Sequence, residues 1–347
     1  MPPRFASHAF AKLSIALVFA AGASAASAQP MPVWQNGMVQ PNGDAGMLFM
    51  SEKGGFGKAL GLDIRTVSLR GDPLLLKALI SGQIDSYIGG PASPLVAGSK
   101  GGDVKIVGCG WIKQSYVLWG NSSVQTMADL RGKTLGISSP GSAPDIFIRA
   151  ALRGNGIDPA DVNFAAAGMP SDWLKSMAAG VIQGSATPDE YETRGKRMGL
   201  KVLTTSEKAT PLSMQRCYFV RNETLRDHPD RLVKFLAAEM AAYQFSLGNR
   251  EPTITLTRQI LQVDDKQPEA TASYDSVVAR NVIDLSFEPP MDKLRWLRDV
   301  LAENGQLDAK WDPEKMIERG PLTKARALFA AEGKKAAAGA PAALAAK

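Results

Sequence analysis

The sequence predicts an α/β fold built on a mainly parallel sheet, and three observations carry that prediction. Short apolar segments recur between Asp44 and Gly108 (Ile64 to Val67, Ile84 to Ile88, Val104 to Val107), each bounded by Gly, Asp or Pro. Stretches of helical periodicity such as LLLKALI separate them. The same turn chemistry, small residues with Pro and a capping residue, then follows several of the strands. Alternating units of this kind form parallel sheets covered on both faces, and such sheets place ligands beyond the C-terminal ends of their strands.

Taken in order, Arg4 and Lys12 precede an apolar run from Leu13 to Ala21, and Ala26-Ser27-Ala28 follows with small residues. Residues 1–28 therefore read as a secretory signal peptide, with the mature chain starting near Gln29. The run is shorter than the roughly 20 residues a spanning helix needs, and no cysteine follows to carry a lipid, so a soluble protein is expected. Val33 to Val39 reads as the first strand. Leu135 to Ser138, Val181 to Ala186 and CYFVR read as later ones. Glu251 to Lys324 reads as helical and structural, with Pro289-Pro290 marking one helix start and Gly305 a helix end. The tail, residues 331–347, is low in large apolar residues and is predicted to be disordered or a loose helix.

Of the formal +6, Arg4 and Lys12 supply two charges, and Lys334, Lys335 and Lys347 less Glu332 supply two more, leaving +2 for the body. That balance lacks the footprint of a nucleic-acid binder. About 300 residues remain, which suits two packed lobes better than one.

The segments SEKGGFGKALGLDI, ALISGQID, GGPASPLVAGSKGGDVKIVG, MADLRGKTLGI and VRNETLRDHPDRLVKFLAA resemble, in this order, the periplasmic solute-binding proteins of ABC importers. The likeness is to the nitrate-, sulfonate- and taurine-binding type, which is related to the thiamine-pyrimidine-precursor synthases. It covers most of residues 33 to 250. It implies the type II periplasmic binding protein fold, with two doubly wound α/β lobes joined by a two-strand hinge. It also implies that the chain crosses from lobe one to lobe two and back. Polar residues put the crossings near Asn121 to Thr126 and Thr210 to Gln215. Lobe one is then expected from residues 29–121 and 213–330, and lobe two from residues 122–212.

Four turns are candidates for the site. Gly90-Pro91-Ala92-Ser93 follows one strand, with Ser93 as helix cap and Pro94 in the first turn. Ser139-Pro140-Gly141-Ser142 follows another, with Ser142 and Asp145 at capping-box spacing, and Thr187 and Glu190 repeat that spacing. Gln40-Pro41-Asn42 follows the first strand, with Asn42 as cap. Each turn alone is more often scaffold than site, since any α/β protein caps its helices this way. The resemblance implies that together they line a crevice between the lobes, offering backbone N–H groups to a ligand. Trp34, Trp111 and Tyr191 are candidate aromatic walls, with core packing the alternative for each. Asp145, Asp189 and Glu190 lie in these turns, and Lys113 is the nearest cationic candidate. A multivalent anion would meet repulsion there, so a small organic solute, aromatic or monoanionic, is expected over nitrate.

Cys109 and Cys217 are the two cysteines, and an oxidising compartment permits a bridge. The resemblance sets the strand beginning near Cys217 antiparallel to the one ending at Cys109. A disulfide and a pair of buried thiols both fit that placement. His228 sits in Asp227-His228-Pro229-Asp230, which resembles the family's recurring cap. No metal-ligand spacing, nucleophile elbow or P-loop is present. The expected protein is thus a monomeric periplasmic receptor, not an enzyme, with no cofactor or metal. It would capture a sulfonate-, taurine- or aromatic-like solute and deliver it to an ABC transporter permease. The alternatives are a synthase-like enzyme and a receptor that presents its ligand to a sensor kinase.

Overall fold

In the computed structural model, which describes residues 30–166 and 168–345 together with Met1, ten strands form two five-stranded sheets. The strands are β1 (Val33–Val39), β2 (Asp63–Leu69), β3 (Ser86–Gly89), β4 (Lys105–Trp111), β5 (Tyr116–Gly120), β6 (Thr134–Ile137), β7 (Asn163–Ala166), β8 (Gly184–Pro188), β9 (Lys201–Thr205) and β10 (Arg216–Val220). The first sheet has the order β2-β1-β3-β10-β4 and the second β7-β6-β8-β5-β9. Within each, β1 to β3 and β6 to β8 pair in parallel, while β10 and β5 run antiparallel to their neighbours. Each antiparallel strand follows directly on a crossing between sheets, so it enters its sheet from the edge where the parallel strands end. Both sheets lie in the compact unit that runs from Met31 onward.

The helices of eight residues or more are α1 (Asp72–Ile80), α2 (Ala92–Ser99), α3 (Ala143–Gly154), α4 (Pro170–Ala178), α5 (Pro229–Gly248), α6 (Arg250–Leu261), α7 (Glu269–Ala279), α8 (Met291–Glu303) and α9 (Arg319–Ala345). They cover both faces of the sheets, so each sheet carries two cores. On the first sheet, Trp34, Phe56, Phe235 and Phe287 fill one face, and Leu75, Leu95, Phe219 and Leu294 fill the other. On the second, Leu118, Leu135 and Phe147 oppose Trp119, Trp173 and Leu174. Burial on both faces is why these strands read as continuous apolar runs.

The first crossing differs from the expectation. The segment YVLWG is β5 of the second sheet, paired with β8 from Tyr116↔Pro188 to Gly120↔Gly184, so the chain changes sheets at Ile112–Ser115. The polar run Asn121 to Thr126 instead enters a short helix, Met127–Leu130, where the Asp129 carboxylate accepts the Thr126 backbone N–H at 2.8 Å. The return passes through Thr210 to Gln215. The two crossings bond to each other, Gln114 N–H to Ser213 O at 3.3 Å and Gln215 N–H to Trp111 O at 3.0 Å.

Helix α9 continues to Ala345, so of the two states expected for the segment from Ala331 it takes the helical one, as its Ala and Lys content favours intrinsically. The expected signal peptide lies outside the described residues. Cys109 and Cys217 are bonded, S–S 2.04 Å, with Cα atoms 3.9 Å apart where the β4–β10 register shifts.

Candidate functional site

The strand ends of the two sheets meet around a cavity of about 140 Å³. The first sheet contributes Gln40 after β1, Gly71 and Asp72 after β2, and Gly90 after β3. Ser138, Ser142, Asp189 and Glu190 come from the turns after β6 and β8. The crossings supply Trp111, Ser115, Tyr116, Gln215 and Arg216. A third wall is α7, through Ser273, Ser276 and Val277. This helix belongs to the C-terminal segment expected to be structural more than ligand-contacting, and it also borders the cavity.

Charge on the wall is concentrated in five groups. Arg216 opens β10 and bonds Asp44 at 2.6 Å, while its guanidinium lies 4.6 Å from the Trp111 ring centre. Asp44 also accepts the Asn42 N–H, at 3.1 Å, so both of its oxygens are engaged. Asp72 opens α1 and accepts the Gly90 N–H at 2.8 Å. The pair Gly89-Gly90 is needed for this approach, since a Cβ on Gly89 would stand 2.3 Å from the Asp72 carboxylate. Burial pushes Asp72 up to about 6, against the lowering effect of that hydrogen bond and of the Arg216 charge.

Glu190 accepts the Gly43 N–H at 3.0 Å, joining the turn after β8 to the turn after β1. Burial, and then the neighbouring Asp44 charge, raise its pKa strongly, so it favours the protonated form. Asp189 takes a 2.5 Å bond from Ser276 Oγ on α7 and lies 3.5 Å from Arg280. Its pKa is raised, by burial first. Ser115 Oγ, on a side chain only 9% exposed, has no hydrogen-bond partner.

Of the sequence candidates, Gln40, Asn42, Gly90, Trp111, Ser142 and Asp189 line this cavity. Pro91, Ala92 and Gly141 line a smaller recess beside it that shares Gly90 and Asp72. Ser93 lies on an outer groove, inside α2, because that helix starts at Ala92, with Pro91 in the cap position. Ser139 lines none of these; its N–H approaches Ser142 Oγ at 3.4 Å. Trp34 is core, fully buried and stacked on Phe235, with its Nε1–H bonded to Ser86 Oγ. Tyr191 packs in the core of the second sheet and borders an outer groove with Asn42.

Neither capping box forms as its spacing suggested. Asp145 accepts the Gly141 N–H and the Arg149 Nε–H. Thr187 Oγ1 accepts the Trp119 Nε1–H. The cation of the wall is Arg216, not Lys113, whose ammonium bonds the Arg280 carbonyl instead. Asp72, Ser115, Tyr116 and Arg216 were missed. Gly71-Asp72-Pro73 carries the same strand-turn-helix chemistry as the candidate turns, so the same signal marks Asp72.

A model described as NMT1/THI5 like matches residues 42–252. A Brucella abortus protein, provisionally assigned a binding role, is 26% identical over 311 residues, 88% of this chain and 95% of its own length. Among solved structures, the alkanesulfonate-binding protein of Xanthomonas axonopodis bound to MOPS superposes with a TM-score of 0.65 at 18% identity, covering 85% of this chain and 100% of the other. The periplasmic nitrate-binding protein of Synechocystis gives 0.67 at 14% identity, covering 86% and 89%. The ligand-binding component of an ABC-type import system from Staphylococcus aureus gives 0.66 at 16%, covering 85% and 99%. These likenesses show the α/β binding-protein fold.

Proposed function

Because the chain belongs to the NMT1/THI5-like family, we propose that it is an extracytoplasmic solute receptor that captures a small organic molecule between its two sheets and delivers it to an ABC transporter permease. One observation carries this reading: the cavity is walled by strand ends from both sheets and by both crossings, so a ligand there contacts each half at once. A ligand that contacts both halves favours their approach, whereas one held by a single half would shift nothing. Bending at Ile112–Ser115 and Thr210 to Gln215 is the closure motion, and the closed surface is what the permease reads. The periplasm is the proposed compartment, in keeping with the disulfide.

The cavity wall contains neither histidine nor cysteine, which favours binding over synthase chemistry. Of the sulfonate-, taurine- and aromatic-like solutes that the resemblance raises, the aromatic suits the site best. The wall's arginine is already paired, and a cavity of about 140 Å³ is close to the roughly 150 Å³ that accommodates benzene in an engineered core. Native mass spectrometry of the purified protein tests the proposal: a small molecule should co-purify, and Gly90→Trp should remove it. Retention of that molecule in Gly90→Trp, or a scattering radius unchanged by its binding, would sink the cleft reading.

A further inference from the structure

Helix α7 is built into the first half of the molecule but bonds to the second. Its Ala270, Tyr274 and Val277 are buried in a core of the first sheet. Tyr274 Oη donates to the Ser246 and Leu247 carbonyls of α5, both at 3.0 Å, and the Asp275 carboxylate receives Arg250 of α6 at 2.9 and 3.0 Å. The helix is thereby fixed to the first sheet. Glu269, Ser273, Ser276 and the C-terminal Arg280 follow one another at helical spacing, so they make one polar stripe along a different face.

Every member of that stripe meets the half built on the second sheet. Glu269 pairs with Arg194 at 3.5 Å, and the Ser273 hydroxyl reaches the Glu190 carboxyl. Ser276 Oγ donates to Asp189 at 2.5 Å, while Arg280 lies 3.5 Å from Asp189 and 3.2 Å from Glu207. Beside them the Gly43 N–H crosses to Glu190 at 3.0 Å, in a fit so close that a Cβ on Gly43 would stand 2.5 Å from the Glu269 carbonyl oxygen and 2.9 Å from a Glu190 oxygen. Both partners of each bond belong to the chain, so the bonds favour the approach of the halves by themselves. Their charged members are partly open to water, Arg280 by 28% and Arg194 by 37%, so each pair is individually weak and can exchange for water when the halves part. Ser273 and Ser276 line the cavity, whereas Glu269 and Arg280 lie off its wall.

Resting on the receptor reading above, we propose that the polar stripe of α7 is a latch on closure, which holds the second half to the first through bonds that leave the ligand out. The latch sets the fraction of molecules that are closed, and the apparent affinity of the cleft scales with that fraction. Glu269 and Arg280 are therefore positioning residues: they tune binding without touching what is bound.

The Gly43 amide reports on the latch, because its acceptor belongs to the other half. Hydrogen exchange is followed at pH 7 on the full chain, unfolded and refolded with the disulfide intact to shed any bound molecule. Gly43 should exchange faster than the amides of β1, which open only when the sheet does. In Arg280→Met the Gly43 rate should rise about fivefold, the scale of a partly exposed ion pair, with β1 unchanged. Glu269→Arg, which sets like charges face to face, should act in the same direction, and adding Arg194→Glu to it should return the rate to within about twofold of the parent. The latch is overturned if both single variants leave Gly43 unchanged, if Gly43 and β1 quicken together, or if the reversed pair gives no recovery. The closure reading fails by a different result: Gly43 exchanging at the rate of β1 in the parent and in every variant would mean that the halves do not part short of unfolding. If Gly43 exchanges faster than β1 throughout and no variant alters it, the halves part freely, so closure stands and the latch falls.

Discussion

Glu239 offers a clean measurement of the cost of a charge beneath the cleft. It lies on α5, is 2% exposed, and accepts hydrogen bonds from Ser51 Oγ and, at 2.7 Å, from Tyr218 Oη, which in turn bonds Tyr243. No cation faces it among the described residues, and burial pushes its carboxyl from 4.5 up to about 7. A carboxyl raised in the folded state binds its proton more tightly there. Below pH 4.5 it costs nothing, between 4.5 and 7 the cost grows with pH, and above 7 it levels off. The plateau corresponds to roughly 3 kcal/mol. Glu239→Gln removes that penalty and keeps both hydroxyl contacts, with the amide donating to Tyr218 and the freed hydroxyl hydrogen turning to Tyr243. We therefore expect the variant to be more stable than the parent by about 2 to 3 kcal/mol at pH 8, or roughly 6 °C in Tm, and equal to it at pH 4.5. Urea denaturation at the two pH values measures it. A gain of the same size at both pH values, or a loss at pH 8, would refute the linkage.

Three further outcomes follow from the same reasoning. Asp72→Asn should stabilise the ligand-free protein at pH 8 by about 1 to 3 kcal/mol, since a carboxyl raised from 3.8 to about 6 is ionised there at a cost, and the gain should vanish at pH 4; thermal melts at the two pH values decide it. Arg216→Met leaves Asp44 buried without its counter-charge and should cost about 3 to 5 kcal/mol, whereas Arg216→Met with Asp44→Asn should recover much of that; a double-mutant cycle by urea unfolding reads the difference. Replacing Cys109 and Cys217 together by Ala should cost about 3 to 5 kcal/mol, because the bridge closes a loop of about 100 residues, and parent and variant should unfold alike under reductant.

Much of the scaffold was legible because its signals are local. The strands after Pro32, Leu62 and Gln83 announce themselves by short apolar runs between Gly, Asp and Pro, and Gly90 and Asn42 follow from the rule that such strands end at the ligand. What escaped depends on partners far away in sequence. YVLWG is a good strand in any sheet, and only its pairing with β8 and β9 assigns it to the second. Trp34 could not be oriented, since its strand is covered on both faces and periodicity marks neither as the cleft side. Ser142 and Thr187 have capping spacing, but Asp145 and Trp119 Nε1–H draw the hydrogen bonds elsewhere. Arg216 hides at the start of a strand, a position that reaches the cavity only because β10 runs against its neighbours. Ser276 and Val277 reach it through the packing of α7 against the Asp189–Tyr191 turn, which nothing in the helix's own pattern discloses.

The Cys109–Cys217 bond sits where the chain leaves the first sheet and where it returns. Everything that makes the second sheet is therefore a noose drawn shut at its neck, and that half can melt and re-form without its two ends drifting apart. Evolution can exchange such an insert wholesale, as a cassette, and thereby change half of the cavity's lining while the first sheet and its helices stay as they are.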